Sequence, residues 1–180
     1  MSHFKLQAGS KFPAISVPLL KNEARVELGT PNAGYDWKLV IVYRGKHCPI
    51  CTRYLQELND VLPRLNQLGI DVIAVSADSH ERAQMQMNIV KPQFPVAYSL
   101  NVEQMQQLGL YISNPRSAQE ADKPFPEPGL YVINEKGNVQ LVDIANAPFL
   151  RPSLERLVAG LGFIRNPENN YPIRGTFEQE

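Results

Sequence analysis

The chain is poor in cysteine and tryptophan: its 180 residues include two cysteines and one tryptophan. Two cysteines cannot form the several disulfides that hold small secreted domains together, and an apolar content of 43% lets one domain bury its own core. Acidic and basic residues balance at 18 each, so the formal net charge is zero. This balance argues against a nucleic-acid partner, because such partners are bound by strongly basic surfaces.

Long apolar runs are missing too. Lysines and prolines interrupt the first thirty residues, and no run approaches the roughly 20 apolar residues that a membrane-spanning helix needs. We therefore expect no membrane partner and a cytoplasmic location. In the cytosol a lone cysteine pair is more often catalytic than structural, because glutathione and thioredoxin keep idle thiols reduced.

The two cysteines lie three residues apart, as Cys48-Pro49-Ile50-Cys51, directly after an apolar segment at 38–43. This pattern predicts a buried strand that runs into a helix starting at Cys48, with Pro49 preorganising the first turn. The free amide N–H groups of that turn stabilise a thiolate, and two sulfurs at this spacing can form a disulfide. The pair is therefore the predicted catalytic site.

Basic residues surround the pair in sequence: Arg44, Lys46, His47 and Arg53. Positive charge favours a thiolate, so Arg44, Lys46 and His47 are candidate supporting residues, although a bystander role is equally consistent with their positions. A structural zinc site is disfavoured because it needs four ligands, and the chain adds only three histidines to its two cysteines. Unreactive core cysteines are also disfavoured, because a helix start in this position is expected to be partly exposed.

The remaining pattern predicts one α/β domain over residues 1–180, with a central mixed sheet flanked by helices and an N-terminal strand or hairpin extension. The predicted elements are a hairpin at 15–28, strands at 38–43, 70–75 and 95–99, helices at 48–68, 80–90 and 102–108, a proline-rich surface loop at 113–128, a β-hairpin at 130–144, a helix at 152–164 and a partly ordered tail at 166–180. Pro63 is expected to kink the first helix without ending it. The cysteine pair at the end of a central strand makes this a thioredoxin-like fold.

Several segments together resemble the alkyl hydroperoxide reductase and thiol-specific antioxidant (AhpC/TSA) family of peroxiredoxin-like proteins. They are Tyr43-Arg44-Gly45-x-x-Cys48-Pro49-x-Cys51, the loop before Pro128, and Leu130-Tyr131-Val132-Ile133-Asn134-x-x-Gly137. The resemblance implies an antioxidant oxidoreductase that reduces hydroperoxides through a Cys48/Cys51 dithiol–disulfide cycle without a cofactor or metal. A reductant of the thioredoxin, glutaredoxin or glutathione type would recycle it. A homodimer is left open.

The resemblance also points to Pro128. Thioredoxin-like proteins have a cis-proline just before the strand that opens the terminal hairpin, packed against the cysteines, and Pro128 stands at the matching point. The resemblance thus implies a cis bond at Pro128. The alternative is an ordinary trans loop proline, since Pro124 and Pro126 precede it.

The chain departs from both family templates. The peroxiredoxin motif Pro-x-x-x-Thr/Ser-x-x-Cys is not present, whether its cysteine is aligned with Cys48 or with Cys51. The position of the arginine that peroxiredoxins carry before the hairpin strand is occupied here by Pro128. The buried aspartate of thioredoxins falls on Val42. Besides the peroxidase, two hypotheses therefore stay open: a thioredoxin-like reductase of protein disulfides, and a redox-sensing or redox-inactive interaction module. In thioredoxins the attacking cysteine matches Cys48, whereas in peroxiredoxins it matches Cys51. We expect Cys48, as the more exposed first residue of the helix, to attack, and Cys51 to resolve.

Overall fold

A computed structural model of the chain describes residues 5–177. Its strands are β1 (Ser16–Pro18), β2 (Arg25–Glu27), β3 (Trp37–Val42), β4 (Ile70–Val75), β5 (Val96–Ala97), β6 (Ile112–Ser113), β7 (Phe125–Pro126), β8 (Gly129–Ile133) and β9 (Val139–Ile144). Its helices are α1 (Pro49–Gln67), α2 (His80–Val90), α3 (Val102–Gln107) and α4 (Leu154–Arg165), followed by a 3₁₀ turn at Pro167–Asn169. None of the helices within this range is long and apolar enough to cross a bilayer.

The core of the fold is a five-stranded mixed sheet in the order β5-β4-β3-β8-β9. Strand β3 lies in the middle, parallel to β4 and antiparallel to β8. All six residues of β3 and all six of β4 are buried, as the consecutive apolar residues predicted. The predicted α/β class with a mixed sheet and an N-terminal hairpin, β1–β2, is confirmed.

Alternate residues of β3 point into two separate hydrophobic clusters. Leu39 and Ile41 belong to the cluster that packs beneath α1, α2 and α4. Val40 and Val42 belong to the second cluster, which the N-terminal hairpin and α3 cover. Side chains on a strand alternate between its faces, so one apolar run fills both layers. The carboxyl end of β3 thus lies between packed layers on a rigid platform.

Helix α1 runs without a break from Pro49 to Gln67, so Pro63 does not end it. Gly69 follows with a φ of +75°, the left-handed conformation that a helix stop favours in glycine. Helix α4 begins two residues later than predicted: Pro152 lies outside it, and Ser153 is the cap whose side chain accepts a hydrogen bond from the Arg156 amide.

The segment at 113–128, predicted to be a surface loop, is partly a hairpin. Ser113 pairs with Phe125 and Ile112 with Pro126, and residues 125–128 are buried. Two-residue strands rich in proline leave no periodicity in the sequence, which is why the prediction was wrong here. We call residues 112–127 the flap; Ser113 and Phe125 of this segment line the same cleft as Cys48.

Candidate active site

Cys48 caps the N-terminus of α1, and Cys51 lies in its first turn. The Cys48 backbone is extended, at φ −110° and ψ 100°, and its Sγ accepts a hydrogen bond of 3.3 Å from the Cys51 amide. The two Sγ atoms are 2.7 Å apart, and both cysteines are free thiols. They are poised to form a disulfide, whose sulfurs would be about 2.05 Å apart.

Both cysteines are less exposed than the sequence predicts, although Pro49 and Ile50 between them are exposed. Cys48 is 2% exposed and Cys51 is 0% exposed. Of the two, only Cys48 lines the cleft described below. A small reactant therefore reaches Cys48 first.

The two thiols differ in acidity. The pKa of Cys48 is lowered to about 6, chiefly because the Cys51 thiol donates a hydrogen bond to its sulfur, with further help from the Cys51 amide and from Arg44. Burial raises the pKa of Cys51, and the hydrogen bond with Cys48 raises it further. At neutral pH, Cys48 is consequently a thiolate and Cys51 a thiol.

Arg44 supplies positive charge to Cys48 and is itself held by the flap. Its Nε lies 3.0 Å from Glu127 Oε2, and its guanidinium lies 5.0 Å from the centre of the Phe125 ring. Ser113 Oγ donates a 2.7 Å hydrogen bond to the other oxygen of Glu127. Ser113 of β6 thus helps to fix the carboxylate that orients this arginine.

His47 lies on the cleft wall. Its ring packs edge-on against Phe125, with centroids 4.4 Å apart, and neither ring nitrogen has a hydrogen-bond partner among residues 5–177. Burial lowers the pKa of His47, and the nearby Arg44 lowers it further. The imidazole is therefore neutral at physiological pH, and its one N–H is buried without an acceptor among residues 5–177.

Lys46 is placed differently from the expectation. Its side chain is exposed, whereas its backbone N–H donates a 2.7 Å hydrogen bond to Asp78 Oδ2. Gly45, before it, has a φ of +130°, and a Cβ there would lie 2.8 Å from the same oxygen. Arg53 is exposed on α1, and Pro49 is exposed in the first turn of that helix. Lys46 thus contributes its backbone to the turn that carries Cys48.

The cis bond implied for Pro128 is wrong. Every peptide bond in the described chain is trans. The Glu127 amide donates to the Tyr111 carbonyl at 2.8 Å, and the Pro128 carbonyl accepts from the Ala145 amide at 3.0 Å. These bonds on either side keep the backbone extended into β8, which suits a trans bond. Pro128 still lies near the site, since it borders a narrow space shared with Tyr54.

Arg151 is a site residue that the sequence analysis missed. It lies in the loop between β9 and α4, and its Nη2 donates a 2.8 Å hydrogen bond to Cys51 Sγ. Its guanidinium lies 5.0 Å from the centre of the Tyr54 ring, and the Tyr54 hydroxyl donates to the Pro152 carbonyl at 2.8 Å. No local motif marks Arg151, because the contact joins residues 100 positions apart.

A cleft of about 530 Å³ opens in front of Cys48. Arg44, His47, Ser113 and Phe125 line it, together with apolar residues at its rim that include Ile50 and Phe149. Phe149 is 75% exposed. Within residues 5–177, no three His, Cys, Asp or Glu side chains are grouped so that they could hold a metal ion. The chemistry that these residues support is that of a thiolate.

The model of the AhpC/TSA family matches residues 8–142, three quarters of the chain. The chain belongs to the AhpC/TSA family. This finding confirms the family resemblance seen in the sequence. A search of curated protein sequences gives no significant match.

Solved peroxiredoxin structures share the fold. A cysteine-to-serine mutant of peroxiredoxin 6 from Arenicola marina has a TM-score of 0.74 at 14% identity, over 91% of this chain and 75% of that one. A peroxiredoxin-like protein from Aquifex aeolicus has a TM-score of 0.71 at 18% identity, over 88% of both chains. Enterococcus faecalis AhpC has a TM-score of 0.72 at 17% identity, over 94% of this chain and 99% of that one. The predicted thioredoxin-like fold is thereby confirmed.

Proposed function

We propose that this AhpC/TSA protein reduces hydroperoxides with Cys48 as the attacking thiolate and Cys51 as the resolving thiol. The observation that carries the proposal is that Cys48 borders the open cleft while its sulfur accepts hydrogen bonds from both the thiol and the amide of Cys51. A thiolate stabilised in this way, in contact with a cleft, is the form of cysteine that attacks a peroxide.

The cycle has three steps. The Cys48 thiolate attacks one peroxide oxygen and the O–O bond breaks; the departing oxygen takes a proton to become an alcohol or water, and Cys48 becomes a sulfenic acid. Cys51 then attacks the Cys48 sulfur, the S–O bond breaks, and water leaves as the disulfide forms. A dithiol or two thiols from a reductant return both cysteines to the reduced state.

Two neighbours support the first step. Arg44 holds positive charge near the thiolate, and Glu127 keeps that guanidinium in place. His47 is neutral, lines the cleft and has an N–H without an acceptor among residues 5–177, which makes it the candidate donor to the departing oxygen. Lys46 and Pro49 act through the backbone of the turn, and Pro128 acts by packing.

We assign the reductant to the thioredoxin, glutaredoxin or glutathione type, and the location to the cytoplasm, where such reductants are abundant. Turnover with purified thioredoxin and its reductase, compared with glutathione and glutaredoxin, distinguishes the reductants. The homodimer expected from the resemblance is tested by the mass of the reduced and oxidised protein in solution.

The function is tested by rapid mixing of reduced protein with hydrogen peroxide, followed by acid quenching and mass spectrometry of the thiols. This readout is direct, whereas the fluorescence of Trp37 would be an indirect one, because Trp37 lies at the other end of β3, a strand roughly 17 Å long. Wild type should form the Cys48–Cys51 disulfide, Cys51→Ser should stop at a Cys48 sulfenic acid, and Cys48→Ser should stay reduced. Oxidation of wild type no faster than an ordinary thiol would refute the peroxidase.

A second candidate function is reduction of protein disulfides. The observation that favours it is the apolar rim beside Cys48, where Ile50, Phe149 and Leu150 are exposed and could contact a protein substrate. Reduction of insulin disulfides by the wild-type protein, lost in Cys48→Ser, would support this activity. If the protein reduces neither insulin nor peroxide, the hypothesis that remains is the redox-sensing or redox-inactive interaction module.

A further inference from the structure

We propose that Arg151 is a catalytic residue of the resolving step, in which it stabilises Cys51 as a thiolate, while Arg44 serves the attacking step at Cys48. Each sulfur would then have its own guanidinium and each arginine its own half of the cycle. The proposal rests on the proposed roles of the two cysteines, and its test separates the two.

The geometry assigns the arginines to different sulfurs. Arg151 Nη2 lies 2.8 Å from Cys51 Sγ, whereas Arg44, which Glu127 of the flap holds, acts on Cys48. The Nη1 of Arg151 is buried and has no hydrogen-bond partner in the described chain. The only hydrogen-bond acceptor that residues 5–177 give the Arg151 guanidinium is therefore the Cys51 sulfur.

In the reduced protein the contact between Arg151 and Cys51 stabilises no negative charge. Cys51 is then a thiol that donates its own hydrogen to Cys48, and a neutral sulfur is a weak acceptor. Burying a guanidinium against it brings little benefit unless Cys51 becomes an anion at another stage. Resolution is that stage.

Oxidation of Cys48 changes the balance at Cys51. The Cys48 anion and its hydrogen bond both hold the proton on Cys51 in the reduced protein. A sulfenic acid at Cys48 removes that anion, so burial opposes ionisation and Arg151 favours it. Cys51 then loses its proton and forms the S–S bond, and hydroxide leaving Cys48 combines with a proton to give water. Arg151 thus acts in the resolving step, after Arg44 has acted in the attacking step.

The loop holds Arg151 in place before the reaction. Tyr54 packs under the guanidinium, and its hydroxyl fixes the carbonyl of Pro152, the next residue. Ser153 then caps α4. Because α4 and the Tyr54 ring hold the Arg151 guanidinium in position, it does not need to move when negative charge develops on the Cys51 sulfur.

The test uses 5,5′-dithiobis(2-nitrobenzoate), which needs no peroxide. The Cys48 thiolate attacks this disulfide and releases one thionitrobenzoate; Cys51 then attacks the mixed disulfide on Cys48 and releases a second. At about pH 8 Cys48 stays ionised, since its pKa of about 6 leaves a wide margin. Arg151→Met should leave the first release within about twofold of wild type and slow the second by about tenfold to a hundredfold, the range expected for losing a charge-assisted hydrogen bond.

Two variants provide controls. Arg151→Lys keeps the charge and should recover part of the second release, with its pH midpoint between those of wild type and Arg151→Met. Arg44→Met should show the reverse pattern at about pH 6, slowing the first release more than the second. Circular dichroism checks that each variant is folded, and Arg151→Lys is used if the Met variant is not.

The outcomes separate the two proposals. Equal slowing of both releases by Arg151→Met, or an unchanged second release, would overturn the role of Arg151. A slowed second release in a protein whose wild type ignores peroxide would support Arg151 and refute only the peroxidase. With peroxide as the oxidant, Arg151→Met should also accumulate a Cys48 sulfenic acid that dimedone traps, as Cys51→Ser does.

Discussion

At the scale of single residues, the site works by giving two identical side chains different charges. Cys48 and Cys51 are both buried and their sulfurs touch, so one proton is shared between them and the second thiol stays neutral. Arg44 and the Cys51 amide place the anion on Cys48. Burial keeps the proton on Cys51.

This asymmetry predicts the pH dependence of alkylation. Only the thiolate reacts with iodoacetamide, so the rate for Cys48 should rise with pH through a midpoint near its pKa of about 6. Arg44→Met removes a charge that favours the anion and should move the midpoint upward, by about one unit. A Cys51→Ser variant is unsuitable for this measurement, because the substitution removes the hydrogen bond from the Cys51 thiol to the Cys48 sulfur. Peptide mapping of the protein with both cysteines identifies which thiol is alkylated. A midpoint near that of a free thiol would contradict the prediction.

Gly45 provides a second prediction at this scale. Its φ of +130° and the 2.8 Å that would separate a Cβ at this position from Asp78 Oδ2 both oppose a side chain. Gly45→Ala should destabilise the fold by about 1–3 kcal/mol and slow alkylation of Cys48, because the turn before the cysteine must move. Urea unfolding and alkylation rates measure the two effects.

Gly34→Ala is the matched control for Gly45→Ala. Gly34 also has a positive φ, +95°, but nothing lies within 4 Å of its would-be Cβ. It should lose stability from backbone strain alone and keep the reactivity of Cys48. Equal reactivity in the two variants would show that the Gly45 contact with Asp78 does not position the cysteine.

At the scale of elements, the site joins the first turn of α1 to α2 and the flap. The buried Gln86 of α2 donates through Nε2 to the Gly45 carbonyl at 3.1 Å and to Thr52 Oγ1 at 3.0 Å, which ties the turn before Cys48 to the helix after it. From the same helix, Arg82 reaches the carbonyl of Glu120 in the flap at 2.9 Å. Two elements remote in sequence thus brace one helix start.

The flap predicts unequal effects for two ion pairs. Glu127 is 6% exposed in its side chain and holds Arg44, whereas Glu155 is 66% exposed and pairs with Arg64. Glu127→Gln should cost about 1–3 kcal/mol and shift the alkylation midpoint of Cys48, because Arg44 loses its orienting charge. Glu155→Gln should change neither, since water screens an exposed pair. Urea unfolding with alkylation at several pH values compares the two, and equal effects would argue against positioning by Glu127.

At the scale of the whole molecule, the reacting cysteines and a stabilising ion pair lie at opposite ends of the central strand. The cysteines lie beyond the carboxyl end of β3, while its other end carries a buried ion pair in which Lys38 Nζ lies 2.6 Å from Asp71 Oδ2. The Asn32 amide also donates to that oxygen at 2.8 Å. This pair links β3, β4 and the preceding loop far from the reaction.

Breaking this pair should therefore destabilise the protein without altering its reactivity. Lys38→Met leaves a buried carboxylate without its cation and should cost about 3–5 kcal/mol. The double variant Lys38→Met/Asp71→Asn removes the stranded charge and should recover part of that loss. Chemical unfolding measures the stability, and alkylation of Cys48 below the transition should match wild type. A changed alkylation rate in a folded variant would show coupling along β3.

Local sequence patterns were sufficient for much of this architecture. The consecutive apolar residues of β3 and β4 marked buried parallel strands, the helical spacing after Cys48 marked α1, and Gly137, with its φ of +75°, marked the turn between β8 and β9. The Cys-x-x-Cys pair marked the reacting atoms. Each of these features depends on neighbours a few residues away, so each can be read without the fold.

Only the tertiary structure decided how the site is completed. Arg151 meets Cys51 across 100 residues, and Glu127 reaches Arg44 from a proline-rich segment that carries no periodic pattern. The burial of both cysteines and the trans bond at Pro128 depend on packing and on strand pairing that the sequence does not display. The sequence by itself determined the elements and the nucleophiles, because these follow from local spacing. Packing of distant segments decided which charges surround the sulfurs and which sulfur faces the cleft.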